Sequence, residues 1–119
     1  MPKIKFVKLT CHTTTDMSES DDTAFDTTIE DEPYLLVNHK RVWGVSRIKA
    51  DETIDLSDVE PVSFSDQVVV ELWDRDAGYS PADDRLGRLT VQAGHAGSGE
   101  LSHEFRRNKA RYTLTYFVE

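Results

Sequence analysis

The sequence predicts an all-β fold, an antiparallel β-sandwich of about eight strands, on three observations. No window repeats apolar residues at i, i+3, i+4 and i+7 more than once, so amphipathic helices are not expected. Short β-rich runs alternate instead with turn residues along the whole chain. In the last run Tyr112, Leu114, Tyr116 and Val118 alternate with Thr113 and Thr115, the period of two of a half-buried strand.

Taken in order, residues 4–14 form the first expected strand. Its apolar face flips between Phe6 and Val7, which a bulge or burial on both sides would explain. Residues 34–37 and 41–48 flank Asn38-His39 as a hairpin, and residues 59–64 are a weaker strand. Residues 68–73, Val-Val-Val-Glu-Leu-Trp, are the most hydrophobic run. Apolar residues on both faces need cover, so this strand is expected inside a sheet. Residues 88–92 follow, then an open loop over 94–99, and residues 100–106 and 111–118 close the chain as an antiparallel pair. No repeat and no linker interrupts the pattern, so residues 1–119 are read as a single domain.

The chain has 119 residues, and 14 basic against 22 acidic residues leave a net charge of −8. A domain of this length buries roughly two-thirds of its unfolded surface, enough for a core without covalent staples. The acidic balance repels a phosphate backbone, so no nucleic-acid partner is expected. No apolar run is long enough to span a bilayer. Charges interrupt residues 1–8 where a signal peptide needs its apolar stretch, so a cytoplasmic or peripheral-membrane setting is expected if the chain is complete. The single cysteine, Cys11, excludes an internal disulfide and is expected to be a core residue.

The carboxylates are unevenly spread. Residues 16–32 hold eight acids, and residues 74–84 hold four more, Asp74, Asp76, Asp83 and Asp84. Like charges packed together destabilise a fold unless water or a cation screens them. Enzyme signatures fail in turn: there is no nucleophile elbow, no phosphate-cradling loop before a helix and no Cys/His set at zinc spacing. A hydrolase with paired carboxylates is compatible with spacing alone, but nothing suggests a deep substrate cleft, and the chain is read as a non-enzyme. The informative segment is Asp74-Arg75-Asp76-Ala77-Gly78 at the exit of the apolar strand. Residues i and i+2 of a strand share a side, so Asp74 and Asp76 project together, and Asp83-Asp84 return from the far end of the loop. Calcium takes six to eight oxygen ligands, which converging carboxylates can supply. An EF-hand is excluded, because Arg85 stands where a bidentate Glu is needed and flanking helices are missing.

Two stretches together resemble the C2 domain, the calcium- and phospholipid-binding β-sandwich of peripheral membrane proteins. Members carry an Asp about six residues before an Asp-Pro-Tyr that opens a strand; here Asp26 precedes Glu32-Pro33-Tyr34 by that interval. Members also carry an apolar strand ending in Asp-x-Asp, then an Asp three residues before a Gly. Asp74-Arg75-Asp76 and Asp84-Arg85-Leu86-Gly87 match that pattern. The resemblance covers the whole chain in length. It implies acidic metal-binding loops at one end of the sandwich. Asp26, Glu32, Asp74, Asp76 and Asp84 would be calcium ligands, assisted by the Arg75 carbonyl. Three departures accompany it. Glu32 replaces the usual Asp, so Asp31 competes for that place. The longer interval between Asp76 and Asp84 lets Asp83 compete with Asp84. The Asn-Pro-aromatic-Asn segment common before the central strand is absent, with residues 48–56 in its place.

The function implied is a calcium-binding C2-like module that associates with anionic phospholipid membranes when calcium is bound. Phe25, Ile29 and Tyr79 would insert at the interface or else pin the loops to the sandwich. The alternative is a metal-stabilised or metal-independent module that binds another protein and has no membrane role, since fold does not fix function.

Overall fold

Among the described residues nine strands form two antiparallel sheets, the β-sandwich that the periodicity predicts. The computed structural model describes residues 1–15, 30–75, 83–107 and 109–119. One sheet runs in the order β4 (Thr53–Asp55), β1 (Lys3–Thr13), β9 (Ala110–Val118), β8 (Leu101–Arg107), and β5 (Val62–Ser63) also pairs with β1. The other runs β3 (Lys40–Gly44), β2 (Pro33–Val37), β6 (Gln67–Asp74), β7 (Asp84–Gln92). Among the described residues no helix is long and apolar enough to cross a membrane.

The apolar face of β1 does flip where the sequence shows it. Ile4 and Phe6 are buried, the pairing with β9 slips between Phe6 and Lys8, and burial resumes at Leu9 and Cys11. The slip leaves the Val7 carbonyl to accept from the Leu56 N–H at 2.8 Å, which ties the following loop to the strand. In β9, Tyr112, Leu114, Tyr116 and Val118 all face the core. β6 is internal, with Val68, Val70 and Leu72 fully buried. Its other face places Glu71 between Arg85 (3.2 Å) and His39 (3.4 Å), and Trp73 is stacked on Tyr34 with centroids 6.5 Å apart. The β2–β3 turn puts Asn38 and His39 at φ 49° and 69°, the paired positive values of a tight hairpin. Asn38 also exchanges hydrogen bonds with Val69, its N–H donating at 2.8 Å and its Oδ1 accepting at 3.0 Å.

Several elements differ from the sequence expectation, and of the strand expected over residues 59–64 only Val62–Ser63 pairs, as β5. β3 stops at Gly44, whose φ of 94° bends the chain away, and beyond it Ile48 makes only an isolated bridge with Asp31. β4 has no apolar alternation of its own; its three residues are held by pairing with Lys8, Leu9 and Thr10. β7 begins at Asp84 rather than near Arg88, because a bulge opposite Leu72 and Trp73 prolongs its pairing with β6.

Candidate functional site

The strand register brings the flanks of both acidic segments to one end of the sandwich. Pro33 of β2 is opposite Asp74 of β6, and Asp74 is opposite Asp84 of β7. Thr15, just beyond β1, joins the same end through its contacts with Asp31 and Asp74. Segments 16–29 and 76–82 leave from here. Asp26 and Asp76, together with Phe25, Ile29 and Tyr79, lie outside the described residues.

Asp31 is 1% exposed, and its carboxylate is turned into the fold. It accepts from the Thr15 N–H (3.0 Å to Oδ2), the Thr15 hydroxyl (2.7 Å to Oδ1) and the Tyr112 hydroxyl. Burial, followed by the nearby negative charge of Asp31, pushes the Tyr112 phenol far up, so it stays a donor. Asp31 thus clamps the end of β1 to the start of β2 and to β9. Neither Thr15 nor the Tyr112 hydroxyl is singled out by the sequence reading. The available signal is a tyrosine at an inward position, whose hydroxyl must find a partner inside.

Asp74 is 9% exposed. Its Oδ1 accepts from the Glu32 N–H at 2.8 Å, and its Oδ2 lies 3.2 Å from the Thr15 hydroxyl. That hydroxyl has one proton and two carboxylate neighbours, and the shorter contact is to Asp31. Asp84 is exposed, and direct opposition across the strands puts it on the same face as Asp74. Asp83 accepts from the Tyr34 hydroxyl at 2.6 Å. Burial and that carboxylate push the Tyr34 phenol up to about 12.

Glu32 is held by Arg75. The guanidinium reaches Glu32 Oε2 through Nε at 2.8 Å and Nη2 at 2.7 Å, while the Arg75 N–H donates to the Glu32 carbonyl at 3.0 Å. Both guanidinium nitrogens share one carboxylate oxygen, a charge-assisted contact whose worth is reduced by the partial exposure of both partners. The fold therefore brings Glu32, Asp74, Arg75 and Asp84 together and gives Glu32 a cation from the chain itself. Among the described residues no group of three or more His, Cys, Asp or Glu is arranged to hold a metal ion.

Cys11 is fully buried, as expected of a core thiol, and burial pushes its pKa up to about 12. A disulfide reagent at pH 8 should leave the native thiol unmodified for hours and react at once in urea. Fast native reaction would show the β1 core to be open.

No family model matches the chain, and no curated protein matches it. Among solved structures the chain is similar to that of Drosophila C2-DSL-EGF1, with 9% identity and a TM-score of 0.49. The match covers 98% of this chain and 66% of that one. A likeness this distant transfers neither a family nor an activity.

Proposed function

We propose that the chain is a calcium-binding, C2-like module that associates with anionic phospholipid surfaces once the ion is bound. The register of β6 and β7 is the observation that carries this reading. It sets Asp74 directly opposite Asp84, at the end where both acidic segments begin. Like charges opposite one another on adjacent strands are destabilising, and a divalent cation between them reverses the sign of the interaction. Two carboxylates fit the hard oxygen chemistry of calcium but fall short of six ligands. Asp26 and Asp76 are the residues to supply the remainder, with the Arg75 carbonyl. With the ion bound, the field at this end no longer repels anionic headgroups.

Calcium at ~100 times its dissociation constant should stabilise the fold by about 2.7 kcal/mol, seen as a rise of roughly 10 °C in melting temperature. Asp84→Asn should lose most of that rise while melting slightly higher without calcium, because the like-charge pair is gone. Sedimentation with phosphatidylserine vesicles should require calcium and weaken with salt. A melting temperature indifferent to millimolar calcium would remove the metal assignment. Calcium stabilisation without vesicle binding would favour the protein-interaction module. One observation favours that second reading: Arg75 already neutralises Glu32, a carboxylate that the C2 resemblance gives to the ion.

A further inference from the structure

On one flank of the sandwich the outer strands of the two sheets stand apart, with β3 on one side and β4 and β5 on the other. Between them lies a groove of 770 Å³. Its apolar lining is Val42 and Trp43 from β3 and Val59 and Val62 from the facing wall, all half-buried and packed on the core from behind. Its charged lining is Asp55, Asp58 and Glu60, all exposed, and no basic residue lines it among the described residues. The acidic wall of the groove lies away from the Asp74 end. β4 and β5 face β1 at Lys3, Ile4 and Lys8 to Thr10, whereas the acidic segments leave beyond Thr13.

The acidic wall is built in advance of any partner. Lys5 Nζ donates to the carbonyls of Ser57 and, at 2.8 Å, Val59. The Ser57 N–H donates to Asp55 Oδ1 at 2.8 Å, and the Val59 N–H to the Leu56 carbonyl at 3.0 Å. The Ser57 hydrogen bonds hold the Asp55 carboxyl below its usual range, so it stays charged. On the opposite side β3 pairs only with β2 among the described strands. Its other edge offers a row of backbone donors and acceptors, the template that strand addition uses.

We propose that this groove takes an extended segment of another protein in which basic residues alternate with apolar ones, laid along the open edge of β3. Main-chain pairing with β3 would supply the ladder. Alternate apolar side chains would enter between Trp43 and Val62, and the intervening lysines or arginines would meet Asp55, Asp58 and Glu60. Complementary charge of this kind selects the partner and its direction. A wall already fixed lowers the ordering cost of binding.

The probe is a labelled eight-residue peptide of alternating Lys and Val, with binding to the full chain read by fluorescence anisotropy. The Lys/Val peptide should bind at least about tenfold more tightly than a Glu/Val peptide. The double charge reversal Asp58→Lys with Glu60→Lys, at two exposed positions, should weaken it by a similar factor. Methylating alternate backbone nitrogens of the peptide should abolish binding, since it keeps the charges and removes the ladder. Saturating calcium should leave the affinity unchanged, whether or not the Asp74 end binds the ion. Equal binding of both peptides, indifference to the double reversal, or full binding of the methylated peptide would each overturn the proposal. Displacement by calcium would place the peptide at the Asp74 end and overturn it too.

Discussion

Replacing Asp31 by alanine is expected to destabilise the fold by about 4 kcal/mol. The carboxylate is fully enclosed and accepts from two Thr15 donors and from Tyr112. Truncation leaves a buried phenolic O–H and a part-buried N–H without that acceptor, each costing about 1–3 kcal/mol, and adds a cavity. Relief of the buried charge offsets part of that sum, because a carboxylate inside the fold carries a desolvation cost. Tyr112→Phe removes one donor and should cost about 1.5 kcal/mol. The two substitutions together should cost less than their sum, since each removes the same hydrogen bond. Urea unfolding followed by tryptophan emission measures all three. A loss under about 1 kcal/mol for Asp31→Ala would mean that the clamp does not hold β1, β2 and β9 together.

Gly87→Ala should cost roughly 3 kcal/mol, for a steric reason. Gly87 of β7 pairs with Leu72, and a Cβ built on it would lie 2.3 Å from Phe105 Cδ1 and 3.0 Å from Phe105 Cβ. Phe105 belongs to β8 of the other sheet and is 2% exposed, so its ring has little room to retreat. The missing side chain is what lets the two sheets close at this edge. The melting temperature should fall by about 10 °C, and Phe105→Leu in the same chain should restore part of it by vacating the space. If Gly87→Ala melts with the parent chain, the sheets are not in contact at this point.

Much of the fold was legible because it depends on local pattern. The flip at Phe6 and Val7, the turn at Asn38-His39, the internal strand ending at Asp74 and the alternation in β9 are each written within a few neighbouring residues. β4 was not legible, and of the strand expected over residues 59–64 only Val62–Ser63 forms, as β5. β4 and β5 have three and two residues, and their strand character comes from pairing with β1, whose partner residues lie more than forty positions earlier in the chain. At the site, the sequence placed Glu32, Asp74, Arg75 and Asp84 together through spacing and resemblance, and the register brings these residues to one end. It could not divide the acids by duty. Asp31 and Glu32 are neighbours of the same charge, yet one is enclosed under Tyr112 and the other faces Arg75. That division follows from which face of the chain turns inward beyond β1, a property of the assembled sandwich. The acidic groove escaped for the same reason, since its two walls come from different sheets.

The pairing of β1 with β9 has a consequence for how the chain is made. Ile4 lies opposite Val118, and Lys3 and Glu119 exchange backbone hydrogen bonds. β1 is synthesised well before β9 and waits for it, and the sheet holding β4, β5 and β8 cannot close around its centre until both are present. β2, β3, β6 and β7 form the other sheet from a continuous middle stretch, broken only by β4 and β5, and can assemble sooner. Until β9 is present, the edge of β1 that will pair with it stays open and invites pairing with a neighbouring nascent chain. Joining the adjacent ends and opening the chain elsewhere would bring the two central strands into sequence, shortening that wait without altering a single contact of the finished sandwich.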